Sequence, residues 1–464
     1  MYISLKIHGL RGFAKQQELR LAVPTGEPGS GLTVLVGANN AGKSTAIEAL
    51  QALCQRQAPS FTQGRRNVAA GDEVSISIET DTGHVASLKS IRAGTSETIF
   101  EKSPQMGDLS SGLLVLPARR TFNPYFGKSE TSRDDYMVHI GFPNVRSSSL
   151  ESFTYRLFAI ERNRVAFDAV LAKVLDSVPD WSIDQMDSGQ YFLKFRSNGA
   201  THSSEGLGEG LVSLLYIVDA LYDSSDKHLI AIDEPELSLH PALQRRLSSL
   251  LVEYAATRQI VIATHSPYMV NLDALPRGAT IARLHTGTDG SVISQLTPQK
   301  AKLIFGLMQN KNNPHVLGMN AQEIFFVPDK VVLVEGQEDV VFLERVQQSL
   351  GIQLAGNIFG WGVGGAENME LMATVLRELG FSRVVGILDG NRSALATRLA
   401  TVFPDYHFFA IAADDIRTKK AVPAKAAVSG LLDDENRDVR FPLKVNTEQQ
   451  FRAANAYLAA AVAA

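Results

Sequence analysis

The 464-residue chain has a single cysteine, Cys54, so no disulfide can form within it. A lone cysteine in a helical stretch reads as a small buried apolar residue, and the shortage argues for a reducing compartment. No apolar run approaches the ~18 residues that span a membrane. The start, Met1-Tyr2-Ile3-Ser4-Leu5-Lys6-Ile7-His8, alternates like a strand and lacks the charged and apolar blocks of a signal peptide. Neither sign of charge dominates: 45 Lys and Arg oppose 49 Asp and Glu, a net of −4. Any nucleic-acid surface must then be a local basic patch. These absences lead to the expectation of a cytoplasmic protein with no membrane partner. What remains is ordinary globular usage, 45% hydrophobic and 20% charged, in a chain long enough for two or three domains.

Against that background one motif stands out. Gly37-Ala38-Asn39-Asn40-Ala41-Gly42-Lys43-Ser44 fits G-x-x-x-x-G-K-[ST]. It follows the apolar run Leu32 to Val36 and precedes a helical stretch from Ser44 to Arg56, which is the strand–loop–helix context of a phosphate cradle. Backbone N–H groups from Gly37 through Thr45, with Asn39, Asn40, Ala41 and Gly42 in the turn, would face the phosphates of ATP. Lys43 would reach the β- and γ-phosphates, and Ser44 would help hold Mg²⁺. A second apolar run ends in Asp233-Glu234. Asp233 then suits Mg²⁺, and Glu234 suits the attacking water. A third run ends in Ala263-Thr264-His265-Ser266-Pro267, which puts His265 in position to sense the γ-phosphate.

These motifs, with Leu10-Arg11-Gly12-Phe13 in the opening strand pair, resemble the ABC-type ATPase heads of the SMC, RecF and OLD (overcoming lysogenization defect) proteins. The resemblance covers about residues 1–290. It implies that Ser204-Glu205-Gly206-Leu207-Gly208-Glu209-Gly210 is the signature segment, although it departs from the common L-S-G-G-Q form. Ser204, Gly206 and Gly208 would then complete the ATP site of a partner copy, so the working form would be a dimer. Pro117-Ala118-Arg119-Arg120 would couple ATP to the rest of the molecule. Lys43 and Gly206 are 206 − 43 = 163 residues apart, which leaves no room for long coiled-coil arms.

Beyond Lys330 the strand–helix alternation restarts with a second acidic set. Val331 to Val334 leads into Glu335-Gly336-Gln337-Glu338-Asp339, and Val384 to Leu388 leads into Asp389-Gly390-Asn391. The stretch 328–425 resembles a Toprim domain. That resemblance implies Mg²⁺ or Mn²⁺ held by Glu335 and Asp389, with Asp339 and Asn391 as further ligands. Asn391 stands where a second aspartate is usual, which removes one ligand charge. Asp415 and Lys419 are further candidates, for the metal and for phosphate charge.

The expected architecture is α/β: an ABC-type P-loop head over 1–300 with a helical segment around 150–180, a connector at 301–327, a Toprim-like, Rossmann-like domain at 328–425 and a tail at 426–464. Head followed by Toprim is the OLD arrangement. It implies an ATP-hydrolysing, metal-dependent DNA endonuclease in antiphage defence or DNA maintenance. Two alternatives stay open: an ATPase with a non-cutting Toprim domain that serves a separate effector, and a RecF-like repair ATPase.

Overall fold

The computed structural model describes the chain apart from residues 107–108, 110–111, 140–152, 198, 204–207, 227, 298, 302–325, 327–328, 422–425 and 461–464. It divides into two compact units, Met1–Pro298 and Gln299–Ala464.

The first unit is built on a six-stranded sheet of β3 (Leu32–Gly37), β7 (Leu113–Leu116), β11 (Leu229–Asp233), β12 (Gln259–Ala263), β13 (Thr280–Gly287) and β14 (Gly290–Gln295). Its order is β14-β13-β3-β12-β11-β7, parallel except for the hairpin strand β14. The strands β3, β7, β11 and β12 are buried throughout, which is why they read as unbroken apolar runs. An antiparallel sheet, β2-β1-β4-β5-β6, comprises β1 (Tyr2–His8), β2 (Gln17–Arg20), β4 (Ser75–Thr80), β5 (Val85–Ser90) and β6 (Thr98–Lys102). Helix α1 (Lys43–Leu53) joins both sheets in one core, with Leu50 and Leu53 clustered among Ile7, Ile76, Leu113 and Leu229. Cys54 is buried at its end.

The helical segment holds α2 (Arg133–His139), α3 (Thr154–Arg162) and α4 (Arg164–Leu171), and the last two are separated by Asn163. A small sheet of β8 (Asp180–Gln185), β9 (Tyr191–Ser197) and β10 (Ala200–Ser203) leads on towards α5 (Glu209–Tyr222). Buried charge ties α5 in place. Arg156, 2% exposed, pairs with Asp219 and Asp223, and Arg133 pairs with the same two acids at 2.9 and 2.7 Å. Helix α6 (Pro241–Tyr254) begins with proline in its first turn and a His240 side chain that accepts the Ala242 N–H.

The second unit carries an all-parallel sheet, β16-β15-β17-β18, from β15 (Lys330–Val334), β16 (Asn357–Ile358), β17 (Arg383–Leu388) and β18 (His407–Ala410). Helices Gln337–Leu350, Met369–Glu378 and Ser393–Val402 alternate with these strands. The stretch 426–464, expected as a tail, instead supplies the helix Phe441–Ala459. Its Phe451, Ala454 and Leu458 are buried in one cluster with Val332, Val385 and Leu431. Among the described residues, no helix is long and apolar enough to cross a membrane.

Candidate functional site

The P-loop turns on backbone shapes that only certain residues accept. Gly37 has φ 145°, and a Cβ there would meet the Leu284 carbonyl oxygen on β13 at 2.1 Å. Gly42 has φ 107°, and its added Cβ would press on Ser291 Oγ at 2.9 Å and Phe13 at 3.1 Å. Asn40 takes the left-handed region between them, φ 62°. Helix α1 starts at once, so its positive end faces the loop. Lys43 Nζ donates to the carbonyls of Gly37 (2.9 Å) and Ala38 (3.0 Å). Burial pushes Lys43 down to about 8, against the upward pull of Asp233, Glu234 and Glu236.

The acidic half meets this loop. Ser44 Oγ donates to Asp233 Oδ1 at 3.1 Å across 189 residues of sequence. A hydroxyl and a buried carboxylate side by side next to a phosphate cradle are a donor set that fits Mg²⁺. Strand β12 lies between β3 and β11, so the sheet order brings its end, with His265 just beyond, between the strand ends that carry the P-loop and Asp233. Burial and the nearby Lys43 charge hold His265 below its ordinary range, with Glu234 opposing. Glu234 sits at φ 48°, with its N–H on the Ala263 carbonyl at 2.8 Å. Of the signature segment, Ser204 and Gly206 lie outside the described residues. Gly208 is extended and directly precedes α5.

The second acidic set stands at the ends of paired strands. In β15 and β17, Val334 sits opposite Ile387, and just beyond them Glu335 Oε1 accepts the Asp389 N–H at 2.9 Å. Burial, then the charges of Asp339, Glu335 and Asp415, push Asp389 up to about 8. Burial pushes Asp339 up to about 6 and also raises Glu335. Asp339 Oδ2 accepts the Gly336 N–H at 2.7 Å, so one of its oxygens caps its own helix. Asn391 Nδ2 donates to the Asp414 carbonyl at 3.2 Å. Lys419 pairs with Asp415, and with Glu338 at 2.9 Å. Among the described residues, no group of three or more His, Cys, Asp or Glu is placed to hold a metal ion. The crowding of acids and this result agree once ranges are compared: charge repulsion acts over several ångströms, whereas metal–oxygen coordination needs ~2.0–2.6 Å.

Both family models that match fall within the first unit. A family described as "AAA domain" matches residues 4–136, and one described as "AAA domain, putative AbiEii toxin, Type IV TA system" matches residues 144–271. The first unit is a P-loop ATPase domain. The Septu protein PtuA of Bacillus thuringiensis is 25% identical over 276 residues, which cover 53% of this chain and 68% of that protein. An OLD nuclease of Thermus scotoductus is 28% identical over 203 residues, covering 42% of this chain and 37% of the nuclease. The match thus spans little more than a third of that nuclease. The SMC head domain from Thermotoga maritima aligns with TM-score 0.38 at 13% identity, over 64% of this chain and 99% of its own.

Two residues of the ATPase site escaped assignment from sequence. Glu236 Oε1 accepts the His265 N–H at 2.6 Å, and burial raises this carboxyl. Its signal was the third acid of Asp233-Glu234-Pro235-Glu236. Arg120, given only a general coupling role, donates to the carbonyls of both Asp233 and Glu234, at 2.7 and 2.8 Å. Side chains that bind backbone oxygens leave no sequence pattern.

Proposed function

We propose that this chain is an ATP-dependent, divalent-metal-dependent DNA endonuclease of the OLD type, acting in antiphage defence with a Toprim-like second unit. The observation that carries the nuclease reading is the Glu335–Asp389 contact at the ends of paired parallel strands, among carboxyls held above their ordinary range. Such crowding favours a cation. The likeness to an OLD nuclease supports it. A neighbouring cleft brings Arg345, Arg417, Lys419 and Lys420 together with Glu338, Asp415, Asp434 and Glu435, so its charge is balanced and it does not by itself select a phosphate backbone. Bound Mg²⁺ or Mn²⁺ would supply an activated water and charge neutralisation. Glu335 and Asp389 would hold that ion.

In the ATPase unit, the Gly37–Thr45 loop and Lys43 bind the phosphates, Ser44 and Asp233 hold Mg²⁺, Glu234 orients water and His265 touches the γ-phosphate. Ser204, Gly206 and Gly208 of a second copy complete the site, so the working form is at least a dimer. A second reading has specific support. Asn391 lacks a ligand charge and Asp339 is engaged as a cap, as suits a non-cutting unit that senses or scaffolds a separate effector. Supercoiled plasmid incubated with Mg²⁺ or Mn²⁺, with and without ATP, decides between them. On the nuclease reading, Glu335→Ala and Asp389→Ala stop nicking and leave ATP hydrolysis largely intact. If wild type never nicks but Asn391→Asp does, the second reading stands. If both alanine variants still cut, the metal site lies elsewhere.

A further inference from the structure

We propose that Arg120 is the positioning residue of the hydrolytic centre: it fixes the Asp233-Glu234 turn and ties it to helix α5. The proposal rests on the reading of Glu234 as the residue that orients water. Glu234 occupies a left-handed backbone conformation that L side chains rarely adopt, so surrounding bonds must hold it there. Its N–H is held by the Ala263 carbonyl on β12. The other side of the turn is held by one guanidinium. Arg120 Nη1 donates to the Asp233 carbonyl at 2.7 Å and the Pro117 carbonyl at 2.8 Å, and Nη2 donates to the Glu234 carbonyl at 2.8 Å. Nε completes the set on Ser213 Oγ at 2.8 Å.

The arginine is 4% exposed, and all four of these bonds go to neutral oxygens. Burial of a guanidinium without a bonded carboxylate is costly. What it secures here is the direction of two consecutive carbonyls, which the planar fork fixes better than an ammonium would. Ser213 lies in the first turns of α5, just after Gly208. The start of that helix also meets the far side of the acidic turn. Gly210 approaches the Ser238 carbonyl so closely that a Cβ would sit 2.4 Å from it, and Glu209 accepts the Ser238 hydroxyl at 3.0 Å. A shift of the α5 start is therefore passed through Ser213 and Arg120 to the backbone that aims Glu234.

The test is steady-state ATP hydrolysis with binding of a slowly hydrolysed ATP analogue, in Arg120→Lys, Ser213→Ala, the double variant and Glu234→Gln. A misaimed carboxylate should cost Arg120→Lys about 100-fold in kcat. KM and analogue affinity should stay within about threefold of wild type, because the phosphate cradle is untouched. Ser213→Ala should lose about three- to tenfold in kcat. The double variant should be no worse than Arg120→Lys alone, since Ser213 acts through the arginine. A wild-type kcat in folded Arg120→Lys, or a raised KM with kcat intact, overturns the proposal. If Arg120→Lys does not fold, Ser213→Ala decides, and an unchanged kcat there overturns it. Glu234→Gln turning over at the wild-type rate removes the reading of Glu234 on which the proposal rests. A slow Glu234→Gln beside a fast Arg120→Lys removes the clamp alone.

Discussion

Phe451→Ala measures whether the C-terminal helix belongs to the core of the second unit. Phe451 is fully buried and meets Phe409 edge-on, with centroids 6.0 Å apart and planes at 71°. Truncation of such a ring to alanine costs about 3–5 kcal/mol, of which the aromatic pair accounts for roughly 1. With a urea slope of about 2 kcal/mol/M, the midpoint should fall by about 1.5–2.5 M. The chain offers a clean reporter. It has two tryptophans, Trp181 in the first unit and Trp361 in the second. In a Trp181→Phe background, fluorescence follows Trp361 alone. Val445→Ala on the same helix is the control: Val445 is 69% exposed, so its midpoint should move by less than about 0.3 M. A Phe451→Ala midpoint that stays with the control would refute the placement of Phe441–Ala459 in the core.

Lys43→Ala should lose ATP binding by calorimetry, because the phosphates lose their buried ammonium. Glu234→Gln should bind ATP normally yet release phosphate at least about 100-fold more slowly, and wild-type turnover would reject Glu234 as the water-orienting residue. In the first unit, Arg156→Met should cost about 3 kcal/mol by urea unfolding followed at Trp181, since Arg133 still covers Asp219 and Asp223. Loss of both arginines should cost more than the two single losses added together, because a 3%-exposed Asp219 is then left without either partner. Simple additivity would mean that the two arginines do not share those acids.

The central parallel strands were legible because burial on both faces leaves an unbroken apolar run, as at Leu32 to Val36 and Val331 to Val334, whereas β13, β16 and β18, less completely buried, were not. The P-loop was legible because its shape demands glycine at fixed places. Strand β8, with the sequence Asp-Trp-Ser-Ile-Asp-Gln, was not, because only Trp181 in it is buried and its polar residues hide the alternation. Helix Phe441–Ala459 was hidden for the opposite reason. Phe441, 90% exposed, and Val445 advertise a face that does not enter the core, while the buried stripe contains two small or neutral residues, Thr447 and Ala454. Asp339 was placed at a helix start and read as a further metal ligand, although a cap and a metal ligand ask for the same side chain. Only the hydrogen bond to Gly336 distinguishes them.

The grip of Arg120 on the acidic turn is a grip on main-chain oxygens. Its hydrogen bonds are therefore indifferent to which side chains stand at positions 233 and 234, although the charges of Asp233, Glu236 and Glu234 favour the buried guanidinium. Exchange of Glu234 for its amide, or for a shorter acid, changes the chemistry on offer while leaving the carbonyl that Arg120 holds in place. Descendants of such a chain can lose hydrolysis, and regain it, at position 234 alone while the clamp on the turn is inherited.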